Sequence, residues 1–115
     1  MVLKFDRVRR SMHTVIWTYK LPAGTSKGQL IETINATARN YEGISGLIRK
    51  YYGISPDGRS LAGIYLWESL AAANAFHTVD WVAMAAKRWA VTPQRQDWET
   101  PMVVESAERR LVAAQ

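Results

Sequence analysis

Residues 46–76, GLIRKYYGISPDGRSLAGIYLWESLAAANAF, decide the fold of this chain. Two runs rich in β-branched and aromatic residues, 47–55 and 60–67, lie on either side of the tetrapeptide PDGR. Proline fixes φ at the second position of a turn, and Gly58 accepts the positive φ that ends one. The pattern therefore predicts a tight β-hairpin.

A helix follows this hairpin directly. Trp67 ends the second β-rich run, and Glu68 and Ser69 interrupt the β pattern before the alanine-rich segment AAANAF. The Ser69 hydroxyl can accept a hydrogen bond from an unpaired amide of a first helical turn, so a helix is predicted from Leu70. A hairpin that leads straight into a helix is half of a βαββαβ domain.

The segments on either side supply the other half. Residues 13–20, HTVIWTYK, predict a first strand, and Thr25 or Ser26 can cap a helix over about 27–41. Apolar residues recur at helical spacing in this helix.

The second helical segment is interrupted before the last strand. Thr78 can cap a further helix over 79–89, and residues 94–106 predict the last strand. Pro101 has no amide to donate, which favours an edge position or a bulge there.

This order of elements predicts an α+β fold of the ferredoxin-like type, with a four-stranded antiparallel sheet and helices on one face. We take residues 13–106 as this domain, 1–12 as a leader, and 107–115 as a tail that forms a short helix or is disordered. Both alternating sets of side chains on the hairpin are largely apolar or aromatic, so neither sheet face suits water. A second copy is the simplest cover, which predicts a homodimer with its sheets packed face to face.

Composition excludes several classes of protein. The chain has 115 residues, no cysteine and two histidines, so disulfides, thiolate catalysis and cysteine-based metal sites are ruled out. The sequence contains no metal-ligand cluster, catalytic triad or glycine-rich phosphate loop, and no cofactor is expected. Neither a signal peptide nor a membrane-spanning run is visible, so we expect a cytoplasmic protein with no membrane partner.

The formal net charge of +5 permits a nucleic-acid partner but does not favour one. Basic residues are spread over nearly every segment, and the one tight group is Arg7, Arg9 and Arg10 in the leader. No nucleic-acid partner is therefore expected. An anionic small molecule would be served equally well by this charge.

Strand alternation identifies a candidate pocket. If Trp67 faces the helices, Tyr65 and Gly63 do so too, and the hairpin places Tyr52 opposite Gly63 and Lys50 opposite Tyr65. Gly63 leaves space in the middle of this face. That space either forms a cavity lined by aromatic rings or is filled by the packing of Tyr52.

Five tryptophans in so short a chain suit a site for a flat aromatic molecule. Trp67, Trp17 and Trp81 are the candidates for its lining. Packing in the core or at a dimer interface is the alternative for all five, which include Trp89 and Trp98.

One histidine and four basic residues are candidates for acid–base chemistry or anion binding. His77 lies at the helix break and could act as a general base, because its unperturbed pKa is near neutrality. A capping or exposed histidine is the alternative. A carboxylate or phenolate could be bound by any of four residues whose alternative is a solvated surface: Arg49, Lys50, Lys87 and Arg88.

The motifs GLIRKYY, GIYLWES, AAANAF and ETPMVVES resemble the YdhR-like proteins of the dimeric α/β-barrel superfamily. That group includes the small antibiotic-biosynthesis-type monooxygenases. The resemblance covers about residues 13–106, and its most specific piece is Trp67-Glu68-Ser69 before the alanine-rich helix. It implies a homodimer and a pocket between the sheet and the helices.

The resemblance also implies a chemistry. Monooxygenases of this group make quinones from polyketides without a metal or flavin: a phenolate-like substrate itself reduces oxygen, while the protein orients it and stabilises its anion. Their pocket tryptophan is matched by Trp67. Their asparagine, tyrosine and arginine positions hold Gly63, Ala73 and Lys87.

The haem-degrading branch of the superfamily is not matched. Its asparagine, tryptophan and haem-ligating histidine positions hold Trp17, Phe76 and Ala86, and His77 is offset from the ligand position. Haem degradation is not expected.

The sequence thus predicts a cofactor-independent monooxygenase acting on an aromatic or polyketide-type small molecule. His77 and Trp67 are the catalytic candidates, and Lys50 could replace His77 in proton transfer or hold the anion. The predicted substrate-binding residues are Trp17, Lys50, Tyr52, Tyr65, Trp67 and Trp81. Two alternatives stay open, namely a non-catalytic dimeric binding or stress-related protein of the same fold, and a structural dimer whose aromatic residues fill its core.

Overall fold

A computed structural model describes residues 11–108 and 110–113, and most of the predicted leader lies outside this range. Its α-helices and strands are β1 (Met12–Lys20), α1 (Lys27–Thr37), β2 (Leu47–Ile54), β3 (Ser60–Trp67), α2 (Leu70–Phe76), α3 (Val79–Trp89), β4 (Gln94–Thr100), β5 (Met102–Glu105) and β6 (Arg110–Ala113). The last turn of the predicted first helix is a 3₁₀ segment, Ala38–Tyr41.

Strands β1 to β4 form one antiparallel sheet in the order β2-β3-β1-β4, which confirms the ferredoxin-like fold. The hairpin register is also the predicted one. Lys50 on β2 pairs with Tyr65 on β3, and Tyr52 pairs with Gly63. These four residues therefore lie side by side on one sheet face.

Each helix begins at a hydroxyl side chain that the sequence marks. Ser26, Ser69 and Thr78 each accept a hydrogen bond from the amide three residues ahead, which satisfies one of the unpaired donors of a first turn. The three predicted caps are therefore confirmed. No helix among the described residues is long and apolar enough to cross a membrane.

The two faces of the sheet have different surroundings. Alternate residues of β1 and β3 point toward the helices and are buried, and with helix residues they form the core: Val15, Trp17, Tyr19, Leu61, Tyr65, Trp67, Ala73, Trp81 and Ala85. On the opposite face Ile16 and Ile64 are half-buried, whereas Tyr51 and Trp98 are more than half exposed. The site must therefore be sought on the helix-covered face.

The C-terminal part of the chain departs from the prediction. The last strand, predicted over 94–106, ends at Thr100, because Pro101 offers no amide to continue the ladder. Strand β5 then leaves the sheet and pairs with β6 in a separate antiparallel ribbon. The predicted helical or disordered tail is thus wrong for 110–113. An ion pair between Arg49 and Glu105 ties β5 to the edge strand β2.

Candidate active site in the aromatic layer

The helix-covered face holds an aromatic layer that divides into two parts at Tyr65. On one side lies the tryptophan cluster, which we define as Trp17, Trp67, Phe76, His77 and Trp81. On the other side lies the lysine pocket, a cavity beside Lys50. Its lining residues are Tyr19, Thr37, Tyr41, Lys50, Tyr52, Leu61, Gly63, Tyr65, Ala85, Arg88 and Trp89.

His77 lies at the centre of the tryptophan cluster. It follows α2 at the C-cap position, and its side chain is only 6% exposed. The Trp17 indole nitrogen is 3.2 Å from His77 Nδ1, and the Trp67 indole nitrogen is 3.2 Å from His77 Nε2. The predicted alternative of an exposed histidine is therefore wrong, because helix packing encloses the ring.

These two contacts keep the imidazole neutral. An indole N–H can only donate, and a neutral imidazole has one nitrogen that can accept. A protonated ring would have none, so each of its N–H groups would face an indole N–H. Burial lowers the pKa of His77 to about 3, and the positive charges of Arg95 and Lys50 act in the same direction. A base this weak is poorly matched to proton transfer at neutral pH, so the surroundings of His77 do not favour the predicted general-base role.

The tryptophans of the cluster are packed rather than arranged around a space. Trp67 is fully buried, and its ring is stacked on Tyr65 with the ring centroids 6.3 Å apart. Trp17 and Trp81 are also buried, and the Trp81 indole nitrogen has no hydrogen-bond partner among the described residues. None of these three lines the cavity beside Lys50. The predicted site residues therefore do not all come together.

Lys50 is enclosed by three tyrosine rings. Its Nζ atom lies 3.3 Å from the ring centroid of Tyr41, 4.0 Å from that of Tyr52 and 4.6 Å from that of Tyr65. Ring faces attract an ammonium group, but they do not replace its water as a carboxylate does. Among the residues that the structure describes, no carboxylate forms an ion pair with Lys50.

The surroundings of Lys50 lower its basicity to the neutral range. Burial lowers the pKa of Lys50 to about 7, and the positive charge of Arg88 adds to this effect. Both the amine and the ammonium are therefore populated at neutral pH. Burial also raises the pKa of Tyr65 and of Tyr52, which keeps both hydroxyls protonated. The lysine pocket thus combines an acid–base group with proton donors.

The cavity in the lysine pocket is small. Its interior free volume is about 10 Å³, which is room for one water molecule. The volume rises to about 300 Å³ only when two further spaces are counted, namely the narrow crevices among the lining atoms and the open solvent at the cavity mouth. A ligand larger than water therefore needs a lining side chain to move.

Gly63 explains the shape of this pocket. A Cβ atom at Gly63 would lie 3.2 Å from Cε1 of Tyr65, so the Tyr65 ring packs over the glycine. The atoms nearest to this glycine belong to Tyr65, whereas the predicted alternative had Tyr52 pack over it. The Tyr52 hydroxyl is buried and makes no hydrogen bond of ordinary geometry to a described residue, although the Thr37 hydroxyl is close enough, as a hydrogen-bond donor, to offset part of the rise in its pKa that burial causes. Thr37 itself donates to the carbonyl oxygen of Thr33 at 2.9 Å.

Several lining residues were not predicted as parts of the site. Tyr41 reaches the pocket from the 3₁₀ segment after α1, and its place on the apolar face of the predicted helix was the available signal. Tyr19 and Trp89 close another side, with ring centroids 6.1 Å apart. Of the four basic candidates, only Lys50 and Arg88 meet here, since Arg49 pairs with Glu105.

No metal centre is visible in residues 11–108 and 110–113. They contain no group of three or more His, Cys, Asp or Glu side chains that could hold an ion.

Solved structures share this fold. A monooxygenase of Streptomyces coelicolor, solved in complex with nanaomycin D, matches with a TM-score of 0.60 at 16% identity, over 79% of this chain and 88% of that one. A candidate antibiotic biosynthesis monooxygenase from Caulobacter crescentus matches with a TM-score of 0.59 at 16% identity, over 79% and 91%. A protein of Shewanella oneidensis matches with a TM-score of 0.62 at 11% identity, over 82% and 95%.

These similarities establish the fold. Two of these three neighbours are named as monooxygenases, and the fold that they share with this chain is the one that the resemblance of the sequence motifs implied. No protein-family model matches the sequence, and no curated protein matches it.

Proposed function

We propose that this protein is a cofactor-independent monooxygenase that acts on an aromatic or polyketide-type small molecule. The observation that carries the proposal is Lys50, a half-buried lysine that lies beside a cavity on the helix-covered face and has no carboxylate partner among the described residues. The shared fold of a monooxygenase solved with a small ligand supports the same reading. Site assignments by fold alone are weak, so the chemistry rests on the pocket.

Lys50 can serve as both base and anion holder. The amine form takes the proton of a phenol, and the resulting ammonium then stabilises the phenolate next to it. A pKa of about 7 is well suited to this exchange at neutral pH. The Tyr52 hydroxyl, which is buried and unpartnered, can donate to a second substrate oxygen.

The oxidation itself draws its electrons from the substrate. An aromatic C–H in conjugation with the phenolate reacts with O₂, one oxygen atom becomes a new carbonyl, and the other leaves as water. The ring supplies all four electrons, so the reaction balances without a further reductant. The faces of Tyr41 and Tyr65 would hold the flat ring, while the tryptophan cluster keeps Tyr65 in place.

A ligand can reach the cavity past Lys50. Tyr41, Lys50 and Tyr52 line the cavity on one side and a surface groove of about 400 Å³ on the other. These three side chains therefore separate the two spaces. A rotation of the flexible Lys50 side chain would connect them and give a ligand the room that the closed cavity lacks.

We also propose that the protein is a homodimer whose sheets pack face to face. Tyr51 and Trp98 are 54% and 57% exposed on the open sheet face, and Ile16 and Ile64 lie between them. An apolar and aromatic sheet face of this kind is usually covered. Size-exclusion chromatography with light scattering at micromolar concentration tests this. A monomer in this measurement would contradict the proposed homodimer.

Oxygen uptake tests the enzyme proposal. With 1,8-dihydroxyanthrone as the probe, the wild-type protein should consume oxygen and release the anthraquinone, and Lys50→Met should lower kcat/KM by about 10²-fold. Lys27→Met, at an exposed lysine, is the matched control and should leave the rate unchanged. If Lys50→Met consumes oxygen at the wild-type rate, the proposed chemistry is wrong. Binding of the probe without oxygen uptake would favour the non-catalytic binding protein instead.

A further inference from the structure

Lys50 has the surroundings of a nucleophile as well as those of an acid–base group. Its Nζ atom lies between tyrosine rings and has no carboxylate partner among the described residues. A second cation, Arg88, lines the same cavity. Desolvation and a neighbouring positive charge are the two conditions that free a lysine amine to attack a carbonyl carbon.

We propose that Lys50 captures a small oxo acid as a reversible imine in the lysine pocket, with Arg88 binding the carboxylate. This activity goes beyond the proposed monooxygenation and needs no oxygen. It uses the same cavity, but neither activity requires the other.

The step balances without a further reagent. The lone pair on Lys50 Nζ forms a bond to the carbonyl carbon, and the carbonyl π electrons move to the oxygen, which gives a carbinolamine. The nitrogen passes a proton to the oxygen, which gives the neutral carbinolamine. A second proton on this oxygen lets the C–O bond break, so that water leaves and the nitrogen lone pair forms the protonated imine. Tyr52 can supply this second proton, because its buried hydroxyl lines the cavity and makes no hydrogen bond of ordinary geometry to a described residue.

The rings around Lys50 favour the product of this step. The protonated imine keeps a positive charge close to the original nitrogen position, where the faces of Tyr41 and Tyr52 already lie 3.3 and 4.0 Å from Nζ. The closed cavity has room for one water molecule only, so the oxo acid enters, and the released water leaves, through the adjoining surface groove.

Charge selects the class of carbonyl compound. Among the residues that the structure describes, the charged ones that line the cavity are Lys50 and Arg88, and none is acidic. An anionic ligand therefore balances the pocket, whereas a neutral aldehyde leaves Arg88 without a counter-charge. A compound with a carboxylate beside its carbonyl satisfies both cations at once.

Reductive trapping provides the test, and the other lysines serve as internal controls. Glyoxylate is the probe and acetaldehyde is the matched neutral compound, each with cyanoborohydride under nitrogen, followed by peptide mapping. Lys20, Lys27 and Lys87 are exposed. An ordinary exposed lysine has about 10³-fold less free amine at pH 7 than a lysine with a pKa near 7.

We expect Lys50 to be labelled by glyoxylate at least about 10²-fold faster than each exposed lysine at pH 7. Glyoxylate should label Lys50 about 10-fold faster than acetaldehyde does, and Arg88→Gln should remove this preference. Tyr52→Phe should slow trapping by both compounds about 10-fold. Equal labelling of Lys50 and the exposed lysines, or equal rates for the two probes, would overturn the proposal.

The readout on the unaltered protein does not depend on whether a variant folds, and circular dichroism checks Arg88→Gln and Tyr52→Phe. Trapping is measured without oxygen, so the two proposals can fail separately. Selective labelling of Lys50 in a protein that never consumes oxygen would retain the imine and reject the monooxygenase. Oxygen uptake without selective labelling would do the reverse.

Discussion

The tryptophan cluster and the lysine pocket lie on one sheet face, on either side of Tyr65, and each surrounds one basic residue in a different way. His77 has both ring nitrogens against indole N–H groups and is enclosed by packed rings. Lys50 has ring faces around it, an unpartnered hydroxyl nearby and a cavity beside it. Both environments weaken the base, but only Lys50 is left near neutrality and within reach of a ligand.

The difference shows what marks a site in a layer of aromatic residues. Aromatic content alone does not mark a site. Both parts are rich in aromatic rings, yet no residue of the tryptophan cluster lines the cavity beside Lys50. An unpartnered polar group that borders a cavity is a better guide, since the Tyr52 hydroxyl lines the cavity whereas the unpartnered Trp81 indole nitrogen does not. We therefore expect substitutions in the cluster to act mainly on stability, and substitutions in the lysine pocket to act mainly on ligand chemistry.

The largest effect is expected from the cluster. Trp67→Ala removes a fully buried ring and should lower the free energy of unfolding by about 3–5 kcal/mol. Urea denaturation measures this, with Val79→Ala, at a side chain that is 85% exposed, as the control. A loss below about 1 kcal/mol for Trp67→Ala would mean that the cluster is not the packed part of the layer.

Lys50→Met should stabilise the protein below neutral pH. Because folding lowers the pKa of Lys50 from 10.5 to about 7, the unfolded chain binds more protons between these values. The free energy of unfolding of the wild type therefore rises with pH across this window, and the cost of burying the ammonium is fully present below pH 7. At pH 6.5 the variant should be more stable by about 2–3 kcal/mol.

The advantage of Lys50→Met should shrink as the pH approaches 10. Denaturation at several pH values gives the two curves, with Lys27→Met as the control that should follow the wild type. A constant difference between variant and wild type would show that Lys50 is not desolvated.

Gly63→Ala tests the close contact between Gly63 and the Tyr65 ring, which lies between the tryptophan cluster and the lysine pocket. Its Cβ would lie 3.2 Å from the Tyr65 ring, and the resulting overpacking should cost about 1–3 kcal/mol. Gly53→Ala is the matched control, because its Cβ would lie 3.9 Å from the Cβ of Ala62, an ordinary contact. Thermal unfolding compares the two variants. Equal losses of stability in the two variants would show that the Tyr65 ring can move away from the added Cβ without cost.

The smallest expected effect concerns His77. Since its pKa falls from 6.5 to about 3 on folding, the unfolded chain binds the extra proton between these values, and acid destabilises the wild type there. His77→Gln cannot titrate, so its deficit relative to the wild type should shrink by about 1 kcal/mol between pH 7.5 and 5.5. Urea denaturation at the two pH values measures this. A deficit that is independent of pH would show that His77 protonates freely in the folded protein.

Much of this fold could be predicted because local rules and packing agree. The turn in PDGR fixes the register of β2 and β3, and with it the pairing of Lys50 with Tyr65. Ser26, Ser69 and Thr78 mark helix starts by their chemistry. The course of the chain after Pro101 was not predicted. Strand β5 pairs with β6 rather than with the four-stranded sheet, and no local pattern in the sequence indicates this pairing.

The site was predicted in position but not in composition. Alternation placed Lys50, Tyr52, Tyr65 and Trp67 on one face, yet it does not specify side-chain rotamers. The ring of Tyr65 turns over Gly63, and Tyr65 lines the cavity whereas Trp67 does not. The burial of His77 likewise depends on how α2 and α3 pack against each other and against the sheet. No local sequence pattern predicts this packing.

Gly63 has a consequence for how such a protein changes over generations. It stands where the Tyr65 ring borders both the cavity and the tightly packed rings, and Tyr52 lies opposite it in the register. A small side chain at this one position would tilt Tyr65 and alter the aperture while leaving the nucleophilic or basic lysine in place. New ligand preferences can therefore arise through single substitutions at Gly63 or Tyr52, at a cost in stability where the buried Tyr65 ring has to move.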